Sequence, residues 1–407
     1  MESRQIKQDV YWVGAEDWDR RLFDELIPLP DGTSYNSYFI RGSERTALID
    51  TVNPDKEDIL LKRLEHAGVT DIDYVICNHA EQDHSGSLPG VLMKYPSAKV
   101  VCTPKCQTIL MDFFHLRAEA FLTVNDGQTL SLGNKELEFI HAPWVHWPET
   151  MLTYLREDKI LFPCDFFGSH LASSEIYIKD ESQVCEAAKR YYAEIMMPFR
   201  SNIKAHLERL NPYNIELICA SHGPIYTNPR FIMEAYRHWA TDEPMNIAVI
   251  PYISMHGSTR EMVKYLAEAL AERGVVVKEF DLSAVDIGKL AMALVDAATI
   301  VIGTPTVLAG PHPKVAYAVI LANALRPKLK YASIIGSYSW GGKAKEDILS
   351  MVPNLKVELL EPVMCKGMPR EADFRALDKL ADAIAQKHAV LKTTSKIEYA
   401  DASYAAL

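Results

Sequence analysis

The sequence predicts a chain of two α/β domains, and three observations support this fold class. The chain has 407 residues, about twice the length of a typical domain. Short strands and amphipathic helices are mixed up to about residue 240, whereas strands and helices alternate regularly from residue 247 onward. A polar, turn-rich segment at 240–246 separates the two patterns. We therefore expect a first domain at 1–243, a second domain at 244–392 and a C-terminal tail at 393–407.

The first half is predicted to form a layered α/β structure with many strands rather than a helical bundle. Its apolar runs are short, rich in β-branched and aromatic residues, and separated by turn residues, which is typical of strands. Longer amphipathic stretches indicate helices between them. The predicted strands lie at 10–13, 34–40, 46–50, 74–77, 99–102, 138–141 and 160–163, and the predicted helices at 55–67, 104–114 and 183–208.

The second half is predicted to form a doubly wound, five-stranded parallel sheet. Five strands alternate with helices over this half, and such sheets bind ligands at the carboxyl ends of their strands. The predicted strands lie at 247–252, 275–280, 299–302, 332–335 and 356–360, and the predicted helices at 259–273, 285–295, 313–325, 343–351 and 371–388.

The composition excludes several classes of protein. The formal net charge is −11, and no basic run is interleaved with aromatic residues, so nucleic acid and anionic membranes are not expected as partners. No apolar stretch approaches the roughly 20 residues of a membrane span, and the N-terminus lacks an apolar signal core, so a cytoplasmic protein is expected. The seven cysteines form no C-x-x-C pair, which predicts reduced, mostly buried thiols and no iron site held by cysteine.

A metal site is predicted at the strand ends of the first half. The segment His79–His84, with the sequence His-Ala-Glu-Gln-Asp-His, follows a buried strand and offers four nitrogen and oxygen ligands within six residues. Such groups converge on one point only if a cation cancels their repulsion. A polar surface loop is the alternative, but three further candidates also lie in loops beside predicted strands, namely His146, Asp165 and His222.

A phosphate-binding loop is predicted at the start of the second half. Residues 254–259 follow the first strand of this half, contain Gly257 and hydroxyl side chains, and lead into a helix whose N-terminus favours an anion. An ordinary helix-capping turn would have similar residues. Two further loops, 303–308 and 336–342, are predicted at the ends of the third and fourth strands. The chain contains no Walker A motif and no G-x-G-x-x-G.

These motifs together resemble those of the flavodiiron proteins, also called A-type flavoproteins. The usual metallo-β-lactamase loop is H-x-H-x-D-H, and this chain has Glu81 in place of the second histidine. The resemblance covers nearly the whole chain and implies a metallo-β-lactamase-like αββα sandwich followed by a flavodoxin-like domain. It implies that one iron is held by His79, Glu81 and His146, the other by Asp83, His84 and His222, and that Asp165 bridges the two.

The resemblance also implies residues that bind FMN in the second half. The phosphate would lie against the loop after the first strand, and the flavin ring between the other two loops. Trp340 could instead fill a gap between a helix and the sheet. The implied FMN residues are Ser254, His256, Gly257, Ser258 and Thr259 for the phosphate, Pro305 and Thr306 at the ring edge, and Ser337, Tyr338, Trp340 and Gly341 closing over the ring.

The function that this resemblance implies is a reductase. FMN would pass electrons from an external donor, a rubredoxin or a reduced deazaflavin coenzyme, to the two irons, which would reduce O2 to water or NO to N2O. The family forms head-to-tail homodimers or dimers of dimers, in which the FMN of one subunit lies near the irons of the other. A carboxylate in place of an imidazole at Glu81 adds a hard anionic donor, which favours iron over zinc.

Three alternatives remain open at this point. The first is a dizinc hydrolase with an accessory flavodoxin-like module, the second a reduced-deazaflavin coenzyme oxidase within the same family, and the third a non-enzymatic flavin-binding or redox-sensing protein. A four-helix diiron bundle does not fit, because the E-x-x-H pair Glu138–His141 lies in a predicted strand. Whether His170 contacts the metal site is also open. Tyr35, Trp147 and Phe166 are candidates to line the pocket, and the remaining histidines are not expected to be ligands.

Overall fold

The computed structural model of the chain describes residues 2–391, so the predicted tail at 393–407 lies outside the described residues. The chain divides into two compact units. One unit comprises the chain up to Tyr192 together with Phe199–Ala240. The other comprises Ala193–Pro198 and the chain from Thr241 onward.

The first unit contains two large sheets. In the seven-stranded sheet, taken in spatial order, the first three neighbouring pairs of strands are antiparallel and the last three are parallel. In the five-stranded sheet, every neighbouring pair is antiparallel except the last. The spatial order of the first sheet is Arg4–Lys7, Val10–Trp12, Tyr38–Arg41, Thr46–Ile49, Tyr74–Ile76, Lys99–Cys102 and Phe121–Thr123. That of the second is Thr129–Ser131, Glu136–His141, Met151–Leu155, Ile160–Phe162 and Leu217–Ile218.

Successive side chains along a strand point to opposite faces of the sheet, and this alternation builds two cores in the first unit. Tyr38 and Ile40 of the first sheet pack in one cluster with Phe139 and Phe162 of the second, so the two sheets bury their inner faces against each other. Phe39, which points to the opposite face, packs instead with residues of the flanking helices. The helices of the unit are Glu57–His66, Gln82–Ser85, Leu88–Lys94, Pro104–Phe114, Glu181–Tyr191, Arg200–Leu210 and Pro229–Trp239.

Two predicted elements of the first half are wrong in detail. The single helix predicted at 183–208 is two α-helices joined by a π-helical turn and a 3₁₀ turn at 192–199, because Pro198 lacks the N–H that would continue the helical ladder. The single strand predicted at 34–40 is split between Thr33–Tyr35 and Tyr38–Arg41. Its halves pair with different strands, and between them the amide of Asn36 bonds instead to the carbonyl of Ser221.

The second unit is a doubly wound parallel sheet with five strand positions, as predicted. The order is Val276–Asp281, Met245–Tyr252, Ala297–Val307 and Tyr331–Tyr338, with Glu358–Leu359 and Val363–Lys366 together on the outer edge of the last. The fifth position is therefore two short segments rather than one strand, because Pro362 between them cannot donate to the ladder. The helices are Ser258–Glu272, Ile287–Leu294, Pro313–Leu325, Ala344–Ser350 and Glu371–Ala389.

The third and fourth strands of this sheet are longer than predicted. Ala297–Val307 turns back through a short hairpin to Gly310–Pro311, so Pro305 and Thr306 lie on a strand rather than in a loop. Ser337 and Tyr338 likewise end the strand Tyr331–Tyr338. These residues are fixed by ladder hydrogen bonds, which makes them a more rigid edge than two loops would be.

The expectation of buried cysteines is confirmed. All seven cysteines are buried, and none forms a disulfide. Within residues 2–391, no helix is both long enough and apolar enough to cross a membrane.

A pH-dependent contribution to stability is expected at His388. This buried side chain places Nε2 at 2.7 Å from the Thr299 hydroxyl and Nδ1 at 2.8 Å from the Asn246 amide oxygen, and burial lowers its pKa to about 4. Between roughly pH 6.5 and 4, the unfolded chain, with a histidine pKa near 6.5, therefore binds a proton that the folded chain does not bind. As the pH is lowered through this window, urea unfolding should show the free energy of unfolding falling more steeply in the native chain than in His388→Gln. Equal slopes would contradict the prediction.

Candidate functional site

The predicted metal ligands lie at the ends of strands of both sheets in the first unit. The strand Tyr74–Ile76 leads into the first motif, whose last residues form the short helix Gln82–Ser85. The other ligands follow strands of the second sheet or lie between two of them. In this way the sandwich gathers side chains from four separate segments, and the ligands so placed are His79, Glu81, Asp83, His84, His146, Asp165 and His222.

The seven side chains form two groups that share Asp165. His79, Glu81, His146 and Asp165 each bring one ligand atom within 4.8 Å of the others, and Asp83, His84 and His222 do the same. Every predicted metal ligand is therefore brought together with its predicted partners.

Asp165 faces both groups with different oxygens. Its Oδ2 is 3.2 Å from His146 Nε2 and 3.5 Å from His79 Nε2. Its Oδ1 is 3.1 Å from His84 Nε2 and 3.2 Å from His222 Nε2. Each group thus has one oxygen of Asp165 beside it, which is the arrangement that a carboxylate shared by two cations requires.

Several ligand atoms of the group Asp83, His84 and His222 converge on one position without hydrogen bonding to one another. Asp83 lies 3.2 Å from His84 Nε2 and 3.3 Å from His222 Nε2. Even so, both oxygens of Asp83 and both of these nitrogens are buried and make no hydrogen bond within the described chain. Buried polar atoms are normally satisfied, and a cation at their centre would satisfy all four. Four imidazoles and three carboxylates fit a pair of transition-metal ions such as iron or zinc.

The electrostatics of the site are dominated by facing imidazoles and carboxylates. Burial alone would lower the pKa of His222, but Asp165 and Asp83 outweigh it and raise that pKa to about 10. Burial is likewise outweighed at His146, where Asp165 and Glu81 raise the pKa to about 9. Burial would raise the pKa of Glu81, but His146 and His79 hold it below its usual range. Without a cation the carboxylates therefore retain protons on the imidazoles, which a metal ion would displace.

Supporting residues that the sequence reasoning missed orient the ligands. Glu149 accepts the Nδ1 proton of His79 at 2.7 Å and the backbone N–H of Ala80 at 3.1 Å, which leaves Nε2 of His79 to face the metal position. The hydroxyl of Tyr191 donates to Asp165 Oδ1 at 2.7 Å. Asp50 accepts from the backbone and side-chain amides of Asn78, the residue before His79. Glu149 lies in the same loop as His146, which is the only sequence signal for its role.

The surroundings of the site match the predicted lining in part. The Tyr35 ring lies edge-on to His222 at 6.0 Å, and the Trp147 ring lies edge-on to His79 at 5.1 Å. Phe166 instead stacks on Phe167, with ring centroids 4.0 Å apart. Cys164, which the sequence predicts to be a buried thiol and not a metal ligand, lies with its sulfur within 4.8 Å of ligand atoms of His84 and Asp165.

The predicted FMN residues all lie at the carboxyl edge of the parallel sheet in the second unit. Pro305 is the register partner of Ser337, and the Ser337 hydroxyl is 3.4 Å from that of Thr259. Three adjacent strands therefore deliver three segments to one edge. The set at this edge is Ser254, His256, Gly257, Ser258, Thr259, Pro305, Thr306, Ser337, Tyr338, Trp340 and Gly341.

The turn before the long helix of this unit contains Ser254 and Gly257. Ser254 Oγ accepts the backbone N–H groups of Gly257 and Arg260, each at 3.2 Å, and so closes the turn. Gly257 has φ +97°, a conformation that side chains disfavour. Gly257 is the N-cap residue of the helix Ser258–Glu272 and contributes no side-chain hydrogen bond to it. Trp340 is 95% exposed, so the alternative that it fills a gap between helix and sheet is wrong.

Fold and site together define a class: a metallo-β-lactamase-like unit whose clustered histidines and carboxylates fit a pair of metal ions, joined to a flavodoxin-like unit. Residues 33–223 match the family model described as ODP family beta lactamase. The chain is 35% identical to the nitric oxide reductase of Moorella thermoacetica over 391 residues, which cover 94% of this chain and 98% of that protein. It is 34% identical to the coenzyme F420H2 oxidase of Methanothermobacter marburgensis over 356 residues, covering 84% and 88%.

A solved structure has the same fold over nearly the whole chain. The rubredoxin oxygen:oxidoreductase of Desulfovibrio gigas superposes with a TM-score of 0.90 at 30% identity, covering 95% of this chain and 98% of that one. The chain belongs to the flavodiiron protein family. The predicted family and fold class are confirmed.

Proposed function

We propose that this chain is an oxidoreductase that reduces O2 to water, NO to N2O, or both, at two irons in its first unit, with FMN in its second unit and electrons from an external donor. The observation that carries this proposal is Glu81 in the first metal group. Its carboxylate lies 3.2 Å from His79 Nε2 and 3.1 Å from His146 Nε2, where the hydrolase motif has an imidazole. The added negative charge favours an ion that reaches the ferric state.

The names of the relatives support the same reaction class. They include a nitric oxide reductase, a rubredoxin oxygen:oxidoreductase and a coenzyme F420H2 oxidase, which are all oxidoreductases. The dizinc hydrolase is therefore not favoured. The same names support a rubredoxin or a reduced deazaflavin coenzyme as the donor. We further propose a cytoplasmic location and domain boundaries near residues 243 and 392.

The residues of the first unit would hold the metals and control the pocket. One iron would be bound by His79, Glu81 and His146, the other by Asp83, His84 and His222, with Asp165 bridging. When bound, the two irons and the flavin would together supply four electrons, the number that reduces O2 to water.

The protein around these ligands would exclude water and retain protons. The imidazoles of His79 and His222 are buried beneath Trp147 and Tyr35, which keeps bulk water from the metal positions. The Tyr191 hydroxyl donates to Asp165 Oδ1, with the two oxygens 2.7 Å apart, and so stabilises the negative charge of the Asp165 carboxylate.

A head-to-tail homodimer, or a dimer of such dimers, is proposed from charge and exposure. Residues 1–243 carry 13 more acidic than basic residues, whereas residues 244–391 carry two more basic than acidic ones. Large apolar side chains are exposed at the flavin edge, where Leu308 and Trp340 are almost fully accessible, and near the metal ligands, where Trp144 is partly accessible. Opposite charge balances and unburied apolar surface favour pairing of the second unit of one copy with the first unit of another.

One measurement on the purified protein tests the proposed function. Metal analysis combined with a visible spectrum should find two irons and one FMN per chain. The reduced protein, prepared anaerobically, should consume O2 or NO that is then added. Two zinc ions without a flavin absorption band would overturn the reductase. A monodisperse, fully active monomer would contradict the head-to-tail dimer.

Replacing Glu149 with glutamine should weaken metal binding without unfolding the chain. The variant keeps the shape of the side chain but loses the anionic acceptor that fixes His79 Nδ1–H and the Ala80 amide. Loss of such a partner typically costs about 10- to 100-fold in metal affinity. Competition with a chelator of known affinity would measure the change. The matched control is Glu138→Gln, at a glutamate on the strand Glu136–His141 that pairs with Arg156. Unchanged iron affinity in Glu149→Gln would contradict the assigned role.

A further inference from the structure

A second buried histidine lies directly behind the metal ligand His222. His170 is outside the seven-residue ligand set and is almost completely buried. Its ring centroid is 4.7 Å from that of His222, closer than the Tyr191 ring at 5.7 Å or the Tyr35 ring at 6.0 Å. Phe23 and Tyr191 hold the His170 ring in turn, at 5.1 Å and 4.8 Å. The His170 ring is therefore the nearest ring to His222, and the ligand His84 is next, with centroids 5.0 Å apart.

Hydrogen bonds connect the same two histidines through Thr33. Nε2 of His222 faces Asp83 and Asp165, so Nδ1 carries the proton when Nε2 binds a metal. That proton is donated to the Ser34 carbonyl at 2.7 Å, with the Thr33 hydroxyl oxygen also 3.4 Å away.

The shortest hydrogen-bond contact of the Thr33 hydroxyl is to His170. Its oxygen is 2.9 Å from His170 Nδ1, against 3.4 Å from His222 Nδ1 and 3.3 Å from the Ser34 carbonyl. A hydrogen bond therefore joins Thr33 and His170, with the donor set by the tautomer of His170. This bond restrains the orientation of the His170 ring next to His222.

The backbone joins the two segments as well. The Ser169 amide donates to the His222 carbonyl at 3.1 Å. A Cβ added at Gly223 would lie 2.0 Å from Ser169 Oγ, so the segments are in direct contact next to both histidines. A change in the position of His170 is therefore transmitted to His222 by packing, side-chain hydrogen bonds and main chain.

The two metal groups differ in how their histidines are supported. His79 is anchored by the carboxylate of Glu149, whereas His222 has only the neutral carbonyl of Ser34 and the hydroxyl of Thr33. A neutral acceptor fixes a ring less strongly than an anionic one, so packing must supply the remaining constraint.

We propose that His170 is a positioning residue for the metal position formed by Asp83, His84 and His222, acting through the ring of His222 and through Thr33. The inference rests on the proposed function, because it concerns one of the two proposed metal positions. It predicts that loss of His170 affects one metal ion and leaves the other in place.

Anaerobic titration of the full-length, metal-free protein with Co²⁺ tests this assignment, because the visible absorption of Co²⁺ reports its coordination. The native chain should bind two Co²⁺ ions. His170→Ala should bind one with unchanged affinity and the other about 10- to 100-fold more weakly, with an altered visible spectrum. His170→Asn, which can still hydrogen bond to Thr33, should recover part of the loss. His141→Asn, a half-buried histidine bonded to the Val124 carbonyl, is the control and should match the native chain.

Each outcome of the titration has a defined meaning. Two Co²⁺ ions bound to His170→Ala with native affinity and spectrum would overturn the inference and leave the proposed function standing. Equal weakening of both ions would also overturn it, since His170 would then support the whole site. If His170→Ala fails to fold by circular dichroism, Thr33→Val decides in its place, with selective weakening expected again. If the native chain binds no Co²⁺, the proposed function and this inference both fail.

Discussion

Replacing Asp165 with alanine is expected to release both metal ions and abolish turnover. Of the seven predicted ligands, Asp165 is the one that faces both groups, with one oxygen toward each. Its removal takes one ligand from each proposed iron and also removes the charge that lies between four imidazoles. The loss of affinity should exceed the roughly 10- to 100-fold typical of changes in supporting residues.

Metal content and gas consumption would measure this effect, with bound flavin as an internal reference. The variant should retain FMN in full, because the flavin edge belongs to the other compact unit. Asp112→Ala, which removes an exposed carboxylate from the helix Pro104–Phe114, is the matched control and should keep both irons. Retention of two irons by Asp165→Ala would rule out the bridging role.

Asp165→Asn would separate the effect of charge from that of shape. The amide keeps the volume of the side chain and one acceptor oxygen, but it cannot present an anionic oxygen to each metal position. Tyr191 can still donate to the amide oxygen, so the local fold should survive. We expect the asparagine variant to lose both metals nearly as completely as the alanine variant, because the charge between the imidazoles is the larger contribution.

The clustering of the candidate ligands could be predicted from the sequence because four of them are close in sequence and the others follow or flank strands. The segment His79–His84 supplies four candidates at once, and each of the remaining three lies in a loop beside a recognisable strand. The partners of these ligands could not be found in this way. Glu149 bonds to a residue 70 positions away, and Thr33 lies 137 positions from His170, so only the folded sandwich shows that they meet.

The limits of the fold prediction have similar physical causes. Apolar periodicity marked the region 183–208 as helical throughout, but the consequence of Pro198 for the ladder depends on the surrounding packing. In the second unit, strand propensity ended at the polar and small residues after 302 and 335. The ladder nevertheless continues to Val307 and Tyr338, because neighbouring strands at the carboxyl edge supply the partners.

Introducing glutamate at Ser258 is expected to eliminate FMN while both irons remain. Ser258 is the first residue of the helix Ser258–Glu272, at the turn closed by Ser254, where the FMN phosphate is proposed to bind. A carboxylate there would stand within a few ångströms of the phosphate. Repulsion between such charges is about 4 kcal/mol at 4 Å near a protein surface, so an affinity loss of about 100-fold or more is expected.

The fold should tolerate this substitution, which makes the result interpretable. Acidic residues are favourable in the first turn of a helix, and Ser258 is only partly buried. Ala271→Glu, which adds the same charge near the other end of the same helix, is the control and should keep its flavin. Flavin absorbance after desalting would measure the loss, and full retention of FMN by Ser258→Glu would contradict the proposed phosphate site.

The same variant separates the two halves of the proposed reaction. With FMN absent and both irons in place, reduction by the external donor should cease, whereas a small chemical reductant that reaches the metal pocket directly should still support O2 or NO consumption. That combination is expected only if the flavin serves as the entry point for electrons and the metal site as the place of reduction. Undiminished turnover with the protein donor in the flavin-free variant would instead mean that electrons enter at the metal unit, and the role assigned to the second unit would be wrong.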